Sequence, residues 1–232
     1  AAQGQLIYPL HGHIANLPAH RLDVSLDESS GAITVRGIVD EKRFHFHKLR
    51  LVSTVRLHPG DMTIDIRDEV SNLSGNAGEM QLLYHINLGP PLHTPGAELL
   101  LPVKEMAPRD ENAVDDVSRW NTYGPPTAAT EEQVHFFNLL ADQEGRTRAV
   151  LKGADGEDGF SVCYNVNQLP CFSQWKNTPL EPDGFVTGLE PATNYPNPRS
   201  FEANEGRVVP LAAGETRRFD LQLIYHPDPE SL

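Results

Sequence analysis

Two residues of types that can move protons near neutral pH sit in suggestive settings in this sequence. His85 lies in Leu82-Leu83-Tyr84-His85-Ile86-Asn87-Leu88-Gly89, an apolar strand-like run ahead of a long loop. Glu190 lies in Gly188-Leu189-Glu190-Pro191-Ala192-Thr193-Asn194-Tyr195-Pro196, where a carboxylate follows an apolar strand and precedes a turn rich in proline and asparagine. Imidazole titrates near neutral pH, and partial burial raises a carboxyl toward the same range, so the two suit general acid/base work. Each also has a plainer reading: His85 as a satisfied core histidine, Glu190 as an ordinary strand-end carboxylate. A third cluster, Leu10-His11-Gly12-His13-Ile14-Ala15-Asn16, sets a glycine between two imidazoles, which lets the backbone turn sharply and present them at a loop.

Aromatic and amide side chains crowd the same regions, among them Asn87, Tyr164, Trp175, Asn194 and Tyr195. Sugars are held by such residues: flat apolar faces stack on aromatic rings while hydroxyls exchange hydrogen bonds with amides. A small-molecule carbohydrate is a partner that such residues would suit, although Trp175 and Tyr164 would serve equally well as core filling. Ten histidines raise a metal site as the competing use. His45 and His47 share one strand face, and His11 and His13 could do likewise. Neither pair has a nearby cysteine or a recognisable third ligand, so no metal ligand is assigned. Cys163 and Cys171 are spaced unlike the tight pairs of zinc sites and read as free thiols in strands. Phosphate-loop, Gly-x-Ser-x-Gly and Cys/His protease signatures are missing. Lys176 and Arg199 are the cations near Glu190 in sequence that could meet an anionic substituent.

The elements that must position these residues are mostly strands. Ala32–Ile38, Leu49–Leu57, Met62–Val70 and Phe219–Tyr225 alternate apolar with polar residues, the period of a sheet with one face on a core. Turn chemistry separates them at Glu28–Gly31, His58–Asp61, Ser74–Asn76, Asp142–Gly145 and Ala213–Glu215. Helical signal is thin: Thr130–Val134 could form one turn and Arg109–Val117 another. Gly89–Pro126 reads as a long functional connection, and Asn177–Arg199 as a second irregular stretch around the apolar patch Phe185–Leu189. The expected architecture is a mostly antiparallel β-sandwich, all-β, in one domain over residues 1–232.

The 232 residues carry 32 acidic against 19 basic side chains, a net charge of −13. So acidic a surface repels phosphate backbones and anionic headgroups, which argues against nucleic-acid and membrane partners. No apolar run approaches the roughly 20 residues of a membrane span, and a cytoplasmic protein is the default expectation. The oligomeric state is left open, self-association included. A start at Ala1 that runs almost directly into His11 suggests that the sequence begins inside a longer protein.

Taken in order, the three clusters resemble the aldose 1-epimerase (galactose mutarotase) superfamily, and in particular its branch called domain of unknown function 4432. The superfamily pattern runs Leu-His-Gly-Gly, then Asn-His-x-Tyr-Phe-Asn-Leu, then Leu-Glu-x-Gln-x-Tyr-Pro-Asp. Here it is matched by Leu10-His11-Gly12-His13, Tyr84-His85-Ile86-Asn87-Leu88 and Leu189-Glu190-Pro191-Ala192-Thr193-Asn194-Tyr195-Pro196-Asn197. The resemblance implies an antiparallel supersandwich, here lacking its N-terminal portion. It implies Glu190 as the base that takes the anomeric hydroxyl proton and His85 as the acid that protonates the ring oxygen. His11 would bind substrate, joined on residue type by Asn87, Trp175, Asn194 and Tyr195. His135 is the partial echo, in Gln133-Val134-His135-Phe136, of a sugar-contacting Asp-His-x-Phe segment, with Val134 where the acid would stand. No metal or organic cofactor is implied, because both steps are proton transfers. Two other readings stand beside this one: a non-catalytic carbohydrate-binding protein on the same fold, and a metal-dependent sugar isomerase using the histidine pairs.

Overall fold

The computed structural model describes residues 9–44 and 46–232. His45, and with it the His45/His47 pair, lies outside the described residues. In chain order the strands are β1 (Arg21–Leu26), β2 (Ile33–Lys42), β3 (Lys48–Leu57), β4 (Thr63–Asn72), β5 (Gly78–Met80), β6 (Ile86–Leu88), β7 (Glu98–Leu100), β8 (Val103–Pro108), β9 (Gln133–Leu139), β10 (Arg146–Lys152), β11 (Gly159–Asn165), β12 (Cys171–Asn177), β13 (Val186–Ala192), β14 (Val209–Leu211) and β15 (Thr216–His226). Two short helices, α1 (Glu111–Val114) and α2 (Arg199–Asn204), and three single 3-10 turns complete the described elements.

The four alternating stretches are β2, β3, β4 and β15, each within a few residues of its expected ends. The turn residues close the hairpins as their chemistry requires. Gly31 N–H bonds to the Asp27 carbonyl at 2.7 Å, Asp61 to His58 at 3.1 Å and Gly145 to Asp142 at 3.0 Å. The helical turn expected at Arg109–Val117 is α1, capped by Asp110, whose carboxylate accepts from the backbone N–H groups of Asn112 and Ala113. The other expected turn, Thr130–Val134, is not helical. From Gln133 onward that segment pairs with β8 and β12, and ladder bonds on both sides outweigh one weak helical turn.

The chain forms two compact units. The first comprises residues up to Gln81 with Pro196–Asp220. It holds the antiparallel run β1-β2-β3-β4, the first half of β15, the β5/β14 pair and α2. The second comprises Leu82–Tyr195 and Leu221–Leu232. It holds the second half of β15 in the order β15-β11-β10-β7, and a five-stranded antiparallel sheet in the order β6-β13-β12-β9-β8.

That five-stranded sheet positions the candidate site, and its register assigns every side chain to a face. Gly188 pairs with Asn87 on one side and Trp175 on the other, Trp175 pairs with Val134, and Glu190 pairs with Ser173. Directly paired residues share a face and alternate residues return to it. Asn87, Glu190, Gly188, Trp175, Ser173, Val134 and Phe136 therefore occupy one face. Leu189, Lys176, Gln174, Phe172, His135 and Phe137 occupy the other. The second face carries the core of this unit. Phe172 and Phe137 are fully buried there, and Phe172 stacks on Tyr164 of β11 with ring centroids 6.3 Å apart. Burial of each such ring stabilises by roughly 1.5–3 kcal/mol.

Candidate active site

Glu190 lies inside β13, not at its end as its sequence context suggested. Pro191 is tolerated one residue later because its missing N–H falls where the ladder is already interrupted. The Pro191 carbonyl accepts from Tyr84 N–H at 3.1 Å, on the β6 side, and β6 itself begins only at Ile86. The same interruption leaves His85 just outside regular strand, and its ring reaches across to β13. His85 Nε2 stands 3.1 Å from Glu190 Oε1. The Glu190 side chain is only 5% exposed and that of His85 31%, so a buried carboxyl meets an imidazole that solvent can reach.

Gly188 makes room for this pair. A Cβ placed on it would lie 2.8 Å from Glu190 Oε1, 3.1 Å from His85 Cε1 and 3.3 Å from Trp175 Cβ. The Trp175 ring packs against that of His85, with centroids 5.4 Å apart and an edge-on angle of 69°. Trp175 Nε1 donates to Glu132 Oε2 at 2.7 Å, and Arg109 donates to Glu132 Oε1 at 3.0 Å. Burial pushes the Glu190 carboxyl up to about 8, the Glu132 charge adds to that rise, and the Arg109 cation opposes it. The result is a carboxyl that exchanges protons near neutral pH, bonded to an imidazole and flanked by a half-exposed indole.

The remaining residues singled out by sequence separate into groups. Asn87, exposed on β6, shares the face of Glu190 and Trp175. Tyr195 stacks on Phe136 of that face at 4.6 Å, and its hydroxyl donates to Asn138 Oδ1 and to the Phe137 carbonyl. Asn194 is buried, with its amide NH₂ donated to the Tyr195 carbonyl, so it shapes the turn after β13. His135 is on the opposite face: fully buried, its Nε2 donates to the Ala113 carbonyl at 3.2 Å, and burial lowers its basicity. The structure does not bring it together with His85 and Glu190. His11 belongs to the first unit, exposed in a tight turn at Gly12, where φ is 62° and the Gly12 N–H bonds to the Pro9 carbonyl. Lys176 also faces away from Glu190 and is tied to Asp116 and to the carbonyls of Arg119 and Thr122. Arg199 lies in α2 of the first unit, where it pairs with Glu79. Cys163 in β11 and Cys171 in β12 form no disulfide. Among the described residues no group of three or more His, Cys, Asp or Glu side chains is placed to hold a metal ion, and no helix is long and apolar enough to cross a membrane.

Arg109, Glu132 and Gly188 are site residues that sequence reasoning passed over. For Gly188 a signal existed, since glycine inside a strand marks the close approach of another group. Arg109 and Glu132 stand just outside β8 and β9, where charged residues are commonplace.

An antiparallel, strand-dominated chain with this pair on one sheet face is a galactose mutarotase-like fold. Residues 1–224 match the family "Domain of unknown function (DUF4432)", and the chain belongs to that family. It is similar to the crystal structure of a candidate aldose 1-epimerase from Klebsiella pneumoniae, with 32% identity and a TM-score of 0.93 over 95% of this chain. The chain spans 58% of the length of that protein. A galactose mutarotase-like protein from Clostridium acetobutylicum shares the fold at 15% identity and a TM-score of 0.63, over 94% of this chain and 69% of that one. A candidate aldose 1-epimerase from Escherichia coli K12 does so at 15% identity and 0.59, over 89% and 68%. Among curated proteins none matches the chain.

Proposed function

We propose that the chain is an aldose 1-epimerase-like enzyme that interconverts sugar anomers by acid/base ring opening. The observation that carries this reading is the 3.1 Å contact between His85 Nε2 and Glu190 Oε1, with the carboxyl held near neutral range by burial. Ionised Glu190 takes the proton from the anomeric O1 hydroxyl. Protonated His85 gives its proton to the ring oxygen as the C1–O5 bond breaks, leaving an open-chain aldehyde. Rotation about C1–C2 followed by the reverse transfers closes the other anomer. Each proton that leaves one group returns on closure, so the cycle consumes nothing. Asn87 and Trp175 share the sheet face of Glu190, which supports a role for them in meeting the sugar through hydroxyl hydrogen bonds and ring stacking.

The test is equilibration of a freshly dissolved single anomer, followed by polarimetry or NMR across a panel of aldoses. The expected result is acceleration by the parent protein, abolished in Glu190→Gln, with kcat/KM rising with pH as Glu190 ionises, along a limb displaced above the ordinary carboxylate range. Measurable sugar binding without acceleration for any aldose would replace this reading with that of a non-catalytic carbohydrate-binding protein.

A further inference from the structure

Building on that acid/base reading, we propose that Glu132 is a positioning residue for the His85/Glu190 pair, acting through Trp175. One carboxylate oxygen of Glu132 takes the indole N–H at 2.7 Å and the other takes the Arg109 guanidinium at 3.0 Å. Arg109 is itself fixed at 2.7 Å by Asp110, the residue that caps α1. A chain of bonded groups thus runs from a helix cap to the indole, and the indole lies edge-on against the imidazole. An indole on a strand retains rotational freedom about its terminal side-chain bond unless its N–H is held. His85 stands outside regular strand, so the aim of its ring depends on what packs against it, Trp175 among those groups. An exposed Arg–Glu pair ordinarily stabilises a fold by no more than about 1 kcal/mol. The bonding of both Glu132 oxygens is therefore better explained by what it orients than by stability.

Charge supplies a second role for the same arrangement. Among the described residues the charged groups that face Glu190 are His85 ahead of β6, Glu132 ahead of β9 and Arg109 after β8, with Asp110 behind Arg109. Lys176 and Asp116 lie on the opposite face of the sheet. Burial is the larger cause of the rise at Glu190; on top of it Glu132 favours the proton on Glu190 and Arg109 favours its release, so the pair adjusts where the base becomes ionised.

The chain has two tryptophans, so Trp120→Phe makes Trp175 the sole reporter, and its acrylamide quenching and fluorescence anisotropy need no substrate. In that background Glu132→Ala is expected to make Trp175 more quenchable and less anisotropic, whereas Glu132→Gln, which keeps an acceptor for the indole, leaves both close to the parent. In anomer equilibration Glu132→Ala lowers kcat by roughly 10- to 100-fold, the scale of a misplaced catalytic group, with a smaller change in KM. Glu132→Gln restores most of kcat but moves the rising limb of the pH profile to lower pH, and Arg109→Met moves it to higher pH. A Trp175 as ordered in Glu132→Ala as in the parent overturns the proposal, and so does a Glu132→Gln chain as loose at Trp175 as Glu132→Ala. If Trp175 loosens as expected but the parent accelerates no sugar, the positioning contact stands and the acid/base reading is what has failed.

Discussion

Trp175 and Gly188 face each other across β12 and β13, and the hydrogen atom that serves Gly188 as a side chain leaves the space into which the His85 ring fits. A methyl group there would fall within 2.8 Å of Glu190 Oε1 and 3.3 Å of Trp175 Cβ, and the second of these belongs to a side-chain root that cannot swing aside.

Gly188→Ala is accordingly expected to separate His85 from Glu190 while leaving the sheet paired. Anomer equilibration should slow by roughly 10- to 100-fold. The far-ultraviolet circular dichroism should stay that of the parent. A variant with parental activity would show that the close packing around Gly188 has no part in the chemistry.

Glu190 makes a pH-dependent contribution to stability that runs opposite to its use in catalysis. Its folded pKa is raised from 4.5 to about 8, so the folded state keeps a proton that the unfolded chain gives up. Stability is therefore full below the unfolded value and declines as pH rises through 8. Glu190→Gln, which cannot ionise, is expected to be more stable than the parent at pH 9 by a few kcal/mol, and nearly equal to it at pH 4. Urea midpoints at the two pH values measure the difference.

His93 acts on the acid side. It is fully buried between Phe185 and Tyr123, with ring centroids 4.6 Å and 4.3 Å away, and burial aided by the nearby Lys176 charge brings its pKa down to about 4. The unfolded chain takes up this proton near pH 6.5 and the folded one only near 4, so stability falls as pH drops across that window. The loss attributable to His93 is on the order of 3 kcal/mol. His93→Leu should flatten the profile between pH 6.5 and 4, as read by thermal unfolding.

The Lys176–Asp116 pair is buried on both sides, with side chains 4% and 7% exposed. Lys176→Met alone leaves a carboxylate without its cation and is expected to cost about 3–5 kcal/mol. Adding Asp116→Leu should recover much of that loss, because two apolar groups avoid the desolvation penalty that one stranded charge incurs. A double-mutant cycle in urea provides the measurement.

What could be seen in the sequence was whatever depends on local pattern. Alternation placed β2, β3, β4 and β15, turn residues placed their connections, and the order of three short motifs pointed to His85 and Glu190. Relations set by register between distant strands were hidden. His135 looked like a site residue, yet one step along β9 decides the face, and that step is fixed by pairing with β12. Lys176 looked close to Glu190 in sequence for the same reason and faces away from it. Glu190 seemed to sit at a strand end because Pro191 follows, and only the break between Tyr84 and Ile86 shows why the strand continues. Arg109 and Glu132 stand at opposite ends of the long β8–β9 connection, and nothing in their own neighbourhoods marks them as joined beside one indole.

The polar groups beneath the site sheet form two sets of bonds, and each ties β12 to the 116–123 segment. Gln174 donates to Tyr123, Tyr123 meets Thr187, Thr187 donates to the Trp175 carbonyl, and Lys176 holds Asp116 with two carbonyls of the Arg119–Thr122 segment. A segment that reads in sequence as a loose connection is thereby fastened to the backbone of the strand that carries the indole. Neither can open without stranding buried donors and acceptors of the other. In hydrogen exchange the amides of β12 and of the 116–123 segment should behave as a single cooperative block, so that the strand carrying the indole and the loop below it lose protection together.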